Sequence, residues 1–397
     1  MTPLQLTHFT ATSCLGAGIG PTLAALESAH CGLAPCHFET VELKTYIGEV
    51  ADLDAVRLSQ SLQQFDCRNN RLAQHALMQD GFDAAVHAAV ERLGAARVGV
   101  FLGTSTSGIL TTEIAYRHLD PLTGALPGGF NYRGSHNSFS VADFVRRRFG
   151  LAGPAVTVCT ACSSSAKVFA AAQRMLAADL IDAAIVGGVD SLCLTTLYGF
   201  HSLQLSSPQP CRPFDLARDG LSIGEAAAFA LLERAPATLD PEAILLLGAG
   251  ESSDAYHMSS PHPEGLGARS AMQRALADAG LAAADIDYIN LHGTGTPSND
   301  SAESRAVSAL FGALTPCSST KGATGHALGA AGALEAVICA LSLQAGLMPG
   351  GLNLRQRDPE LAVNYLTGNQ HAALRRVLTN SFGFGGANCA LLLGRAG

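Results

Sequence analysis

Short apolar runs alternate with stretches of helical period along the whole chain, and this alternation predicts a layered α/β architecture. Arg97–Leu102 reads as a strand running into the polar loop Gly103-Thr104-Ser105-Thr106-Ser107-Gly108. Val156–Cys159 reads as another strand. Behind it Val168, Phe169, Ala172, Met175 and Leu176 recur on one helix face, and Ala183–Val186 is again strand-like, which makes a βαβ unit. Pro236 and Pro241 mark Glu233–Pro241 as a joint, so the expected halves are 1–240 and 241–397. Beyond the joint the pattern restarts with a strand at Ala243–Leu247, a helix around Gly267–Gly280 and a strand at Ile286–Leu291. That last strand runs into His292-Gly293-Thr294-Gly295-Thr296-Pro297, so a strand ending in a Gly/Thr loop occurs at 103–106 and again at 293–296. Val377–Asn380 and Cys389–Leu393 flank Phe382-Gly383-Phe384-Gly385-Gly386, the pattern of a hairpin with glycines for close backbone approach.

Composition sharpens this picture. With 397 residues, 48% hydrophobic and only 15% charged, the chain has material for a large buried core, as one compact unit or two joined halves. The uncharged stretch Ala336–Leu354 is long enough for a membrane span, but Gly346, Pro349, Gly350 and Gly351 interrupt it. It reads as a buried helix followed by a turn. A formal charge of −8 without a basic tail argues against nucleic acid as a partner. Three basic islands remain: Arg68 with Arg71, Arg146-Arg147-Arg148, and Lys167 with Arg174. They read either as solvated surface or as a landing site for an acidic carrier. Eleven cysteines without framework spacing predict reduced thiols in a cytoplasm, and Met1-Thr2-Pro3-Leu4 shows no leader pattern.

Cys162 is the first candidate for chemistry. It stands at the predicted strand-to-helix turn, where unpaired N–H groups and the positive end of the helix dipole favour thiolate. The same N–H groups are suited to hold an oxyanion. His292, the segment Lys321-Gly322-Ala323-Thr324-Gly325-His326, and the Phe384 loop are the other candidates. Each alone has an ordinary explanation; their co-occurrence points to one site. Cys159 with Cys162 also forms Cys-x-x-Cys, which suggests thiol–disulfide exchange or half of a zinc site. Zinc would need a second ligand pair that the sequence does not show, and exchange leaves both histidines idle, so no metal is expected. Cys159 is then expected as a buried strand residue.

Several ordered blocks resemble the β-ketoacyl-acyl-carrier-protein synthases, condensing enzymes of the thiolase superfamily. They are Thr160-Ala161-Cys162-Ser163-Ser164, Cys211–Asp215 with Arg218-Asp219-Gly220, and Ser252–Met258. His292–Pro297 with Asn299, Asp300 and Glu303, then Lys321–His326 and Asn380–Gly386, complete the set. The resemblance implies a five-layered αβαβα thiolase-like fold built from two similar halves. It implies a Cys162–His292–His326 site with Lys321 and Glu335 in support, Lys321 tuning His326, and Thr294 and Thr296 beside them. Backbone N–H groups of Cys162 and Phe384 are expected to hold the oxyanion, with Phe384 as acyl gate. The implied reaction is decarboxylative condensation of an acyl group on Cys162 with malonyl-acyl carrier protein. Both substrates ride on phosphopantetheine, and no cofactor is bound. Acyl carrier protein is the expected partner, contacting Arg68 and Arg71. A homodimer is implied, or a heterodimer with a chain-length-factor-like homologue.

Gly220-Leu221-Ser222-Ile223-Gly224-Glu225-Ala226 departs from the usual fatty-acid pattern, and Leu197–Leu203 with Gly103–Gly108 looks more like synthases of the aryl-polyene type. Two rival readings come from the same superfamily. A silent chain-length factor would lack the nucleophile, which is present. A degradative thiolase would need a second reactive cysteine, for which Cys389 is the nearest candidate.

Overall fold

The computed structural model describes residues 3–397; Met1 and Thr2, the start of the segment read above for a leader pattern, lie outside the described residues. The first half contributes β1 (Leu4–Ser13), β2 (Val98–Gly103), β3 (Ala155–Val158), β4 (Ala183–Asp190) and β5 (Ala226–Arg234). They lie side by side as β3-β2-β4-β5-β1. The second half contributes β6 (Ile244–Ser253), β7 (Tyr288–Asn290), β8 (Pro316–Ser318), β9 (Arg376–Gly383) and β10 (Ala387–Arg395), ordered β8-β7-β9-β10-β6. Numbered within its own half, each order reads third, second, fourth, fifth, first. In each, the first three positions pair in parallel and the rest antiparallel. The repeat hinted at by two Gly/Thr loops is therefore a repeat of whole sheets. A short antiparallel contact, Leu4 opposite Leu246, joins them.

Helices fill three layers. α1 (Arg68–Leu77), α2 (Phe82–Leu93) and α3 (Ser140–Arg148) cover the outer face of the first sheet. α4 (Ser164–Ala177) follows the nucleophile turn, and α5 (Leu194–Ser202) lies near the site. α6 (Leu266–Ala279) and α7 (Pro297–Phe311) cover the outer face of the second sheet. α8 (Ala331–Ala345) packs with α4 between the sheets. This gives the five layers αβαβα.

The period-2 alternation of each strand explains why the stack holds. On β4, Ala184 and Val186 join the central core with α4 and α8, while Ala183 and Ile185 pack into the outer core with α1 to α3. On β10, Leu391 and Leu393 face the centre, and Ala390 and Leu392 face α6. Strands covered on both sides need apolar residues at every position, which accounts for the continuous apolar runs. The segment Leu328–Ala345 has the length and hydropathy of a membrane span, yet 89% of it lies inside the protein. It is the core helix that the interrupting glycines and proline suggested.

Candidate active site

β3 ends at Val158, and the chain reaches α4 through a sharp turn. Ala161 takes φ 51°, in the left-handed region, and places Cys162 just before the helix. Ser163 Oγ donates to the Thr160 carbonyl at 2.9 Å and Ser164 Oγ to the Ala161 carbonyl at 2.6 Å, which fixes the turn. Beneath it α4 presses on bare backbone. A Cβ at Gly103 would stand 2.3 Å from the Ser165 nitrogen, and one at Gly188 would stand 2.4 Å from Ser165 Cβ.

His292 follows β7, where Glu303 of α7 grips its loop: the carboxylate accepts the His292 N–H at 2.8 Å and the Gly293 N–H at 2.7 Å. His326 follows a single helical turn at Lys321–Thr324 and is hydrogen-bonded through its backbone. Its N–H donates to the Ser222 carbonyl at 2.7 Å, and its carbonyl accepts the Gly224 N–H at 3.0 Å. Neither ring nitrogen has a hydrogen-bond partner among the described residues. The two imidazoles meet edge to face, centroids 5.3 Å apart at 84°. The Cys162 sulfur and one nitrogen from each ring lie within 4.8 Å of one another, all buried. A thiol and two imidazoles from different halves of the chain thus share one point in space.

Lys321 lies under His292. Its ammonium donates to the His292 carbonyl at 2.6 Å, stands 3.4 Å from His292 Nδ1, and forms a buried ion pair with Glu335 of α8. A cation beside Nδ1 leaves that nitrogen as acceptor and puts the ring proton on Nε2. Burial, with the Lys321 charge behind it, holds both imidazoles well below their ordinary range, so they stand neutral. Burial pushes the Glu335 carboxyl up to about 7 against the pull of Lys321, and the Glu303 carboxyl up to about 7 against its N–H donors.

Burial also pushes the Cys162 thiol up to about 11. The Lys321 charge and the N–H groups of Phe384 and Cys162 pull it the other way without overcoming burial. This corrects the expectation of a resting thiolate: the turn supplies the stabilising N–H groups, but the buried site keeps the proton on sulfur. The same two N–H groups converge where an oxyanion would form. A cavity opens onto the sulfur, lined by both histidines, Thr294, Thr296, Phe382 and Phe384 among others.

Comparison with known families settles the class. The model of the β-ketoacyl synthase N-terminal domain matches residues 45–237, and that of the C-terminal domain matches residues 244–355. The chain belongs to the β-ketoacyl synthase family. These condensing enzymes form carbon–carbon bonds by Claisen condensation in fatty-acid or polyketide-type chain elongation. The synthase is 33% identical over 368 residues to 3-oxoacyl-[acyl-carrier-protein] synthase 2 of Coxiella burnetii, covering 87% of this chain and 84% of that one. It is 35% identical over 323 residues to Nodulation protein E of Rhizobium meliloti, covering 77% and 79%. Among solved structures, a chain of the ketosynthase ApeO in complex with its chain length factor ApeC, from Xenorhabdus doucetiae, superposes with TM-score 0.91 at 38% identity. That match covers 100% of this chain and 98% of the other. The ishigamide ketosynthase/chain length factor superposes with TM-score 0.91 at 27% identity, covering 100% of both chains.

Within the synthase, Cys162, His292, His326, Lys321, Glu335, Thr294, Thr296 and Phe384 all gather at or directly beneath the cavity. Thr294 and Thr296 share a 2.8 Å hydrogen bond between hydroxyls. The Phe384 ring meets Phe200 of α5, centroids 5.6 Å apart. Lys321 contacts His292 directly, because the single turn it begins points its side chain under the β7 loop, and its charge, second to burial, also lowers His326, the tuning that the resemblance implied. Three expectations need correction. Arg68 is no free cation for a carrier: its side chain is 8% exposed, paired with buried Glu225 at 2.6 Å and with Glu49 at 3.1 Å. Arg71 is tied to Asp66 at 2.6 Å, and the other basic islands pair with Asp143, Asp83 and Glu251. Cys159 lies just past the end of β3 and is exposed, outside the three-residue cluster.

Cys389 sits in the central hydrophobic core, away from the cavity lining, which removes the thiolase reading. Glu303 appeared in the sequence only as part of a motif. Its grip on the His292 loop depends on α7 folding back over β7, which no local pattern announces.

Proposed function

We propose that this synthase loads an acyl group onto Cys162 from acyl carrier protein and condenses it with malonyl-acyl carrier protein to give 3-oxoacyl-acyl carrier protein. The observation that carries the assignment of roles is the cluster of one thiol and two neutral imidazoles within 4.8 Å. As Cys162 attacks the thioester, a neutral imidazole beside it takes the thiol proton and returns it to the leaving pantetheine thiol. The N–H groups of Cys162 and Phe384 hold the tetrahedral oxygen. Malonyl thioester then replaces the spent carrier. His292 Nε2–H and His326 donate to its carbonyl while the carboxylate leaves as CO₂; the enolate carbon attacks the acyl-Cys162 carbonyl, the adduct collapses with cleavage of the acyl–sulfur bond, and the expelled Cys162 thiolate takes up a proton from solvent. Neutral rings suit this step, since each offers an N–H to growing negative charge without itself giving up a proton. Phe384, packed on Phe200, is the acyl gate, and Lys321 with Glu335 fixes His292. Halves 1–240 and 241–397 divide the work: the first brings the nucleophile, the second the imidazoles. Loss of CO₂ drives the reaction, and the proposed steps call on no bound cofactor.

The acyl substrate is of the aryl-polyene type in this reading. Support comes from Leu197–Leu203, from Gly103–Gly108, and from the 38% identity to a chain of the ApeO–ApeC structure. The same structure and its ishigamide counterpart, each with a chain length factor, favour a heterodimer in which this chain is the active member. The half-exposed apolar edge strand β3 and the exposed Tyr116, Leu119, Leu122, Tyr132 and Phe139 offer the surface. Eleven free thiols favour the cytoplasm.

The test separates the two half-reactions. Cys162→Ala abolishes acyl transfer and condensation with the fold intact by circular dichroism. His292→Ala and His326→Ala lower CO₂ release from malonyl-acyl carrier protein by about 100-fold, and acyl loading far less. Condensation by the Cys162→Ala protein at the wild-type rate rejects the assignment.

A further inference from the structure

Asp190, the last residue of β4, is fully buried and has no cationic partner within 4.0 Å among the described residues. A lone buried carboxylate is costly unless donors surround it. Here they come from two distant segments. The loop after β2 supplies Thr104 Oγ1 at 2.6 Å, Ser105 N at 2.8 Å, Ser105 Oγ at 2.6 Å, Thr106 N at 2.9 Å and Thr106 Oγ1 at 2.8 Å. From the other half of the chain comes the Gly329 N–H, at 2.5 Å.

Gly329 lies three residues after His326, behind Leu328 in left-handed conformation at φ 50°, and opens the path into α8. The contact leaves no slack: a Cβ at Gly329 would stand 2.7 Å from Asp190 Oδ2 and 2.8 Å from the Ser105 nitrogen. His326 has no hydrogen bond to its ring among the described residues, so its backbone, with the packing of the ring against His292, sets where the ring stands. On the upstream side Ser222 and Gly224 hold that backbone; on the downstream side the side-chain anchor is Asp190.

We propose that Asp190 is a positioning residue of the condensation reaction: by tying the Gly103–Gly108 loop to Gly329, it fixes the His326 ring over Cys162. This rests on the role given to His326 above. The anchor joins the sheet that carries the nucleophile to the segment that carries the imidazole, so it holds the cross-half distance that the chemistry uses. The Asp190 charge is also one of the influences keeping the Cys162 thiol up, alongside burial, and against Lys321 and the N–H groups.

The experiment compares Asp190→Asn with wild type and His326→Ala. The amide keeps the shape but sets an NH₂ group against donors. CO₂ release from malonyl-acyl carrier protein is expected to fall about tenfold or more in kcat with KM within about twofold. Iodoacetamide alkylation of Cys162 at fixed pH is retained or faster, which a collapsed fold would not allow. Wild-type CO₂ release by Asp190→Asn, alongside a loss in His326→Ala, overturns the inference and leaves the functional reading standing. Wild-type release by both variants overturns the functional reading. If Asp190→Asn does not fold, Ser105→Ala carries the test, since Ser105 is exposed and its hydroxyl bridges Asp190 and Gly329. A several-fold fall in CO₂ release is then expected, and an unchanged rate overturns the inference.

Discussion

Cys162 answers two opposing demands. A cavity that excludes water strengthens every hydrogen bond to a developing oxyanion, but it also raises the cost of a bare thiolate. Here burial wins, and in the resting site the proton stays on sulfur. The imidazoles face the same balance from the other side. Their depressed proton affinity means that they remain neutral as pH falls through the ordinary imidazole value of about 6.5. In spectra of histidine-labelled protein, the ring signals of His292 and His326 therefore stay fixed between pH 8 and 6 while exposed histidines titrate. Movement of either signal with a midpoint near 6.5 contradicts the account. At this scale the sequence was most legible where a residue acts through its own chemistry and neighbours, as with Cys162, His292 and His326. It was least legible for Asp190 and Glu303, whose partners come from segments 86 and 139 residues away in one case and from a helix folding back in the other. Arg68 misled for the same reason: its neighbours in sequence are polar, while in space it is paired with the buried Glu225 carboxylate and with Glu49 and Asp54.

Among the elements, α4 does the most to set the geometry. Its first turn rests in a groove that only glycine permits, made by Gly103 on β2, Gly188 on β4 and Gly332 on α8. Gly103→Ala forces the Ser165 backbone to move, since the clash is with main chain and not with a flexible tip. The variant is expected to lose about 1–3 kcal/mol of stability by chemical denaturation, and its acylation rate falls more than its KM for acyl carrier protein rises. Full activity with unchanged stability contradicts this. Element types were readable from period and apolar runs; boundaries were less so. The predicted strand Val377–Asn380 is longer, Arg376–Gly383, because pairing with β10 and burial on both faces carry it through Ser381 and Phe382. The predicted strand Ile286–Leu291 is shorter, Tyr288–Asn290.

The whole molecule is two copies of one sheet order stacked about shared helices, with the active cavity where their C-terminal strand ends meet. Two Gly/Thr loops were a faint trace of that repeat in the sequence, since the halves share topology far more than residues. The apolar edge strand and the exposed Leu122, 94% accessible, fit a dimer. Leu122→Asp is expected to weaken the proposed dimer by about tenfold or more in dissociation constant in sedimentation velocity; an unchanged association contradicts that surface.

The most direct measurement is intact-protein mass spectrometry, with peptide mapping, after incubation with a panel of acyl-loaded carrier proteins. The account predicts a single acyl adduct on the peptide containing Cys162, absent in Cys162→Ala and present in His326→Ala. An adduct on another cysteine, or an adduct that persists without the Cys162 sulfur, contradicts it.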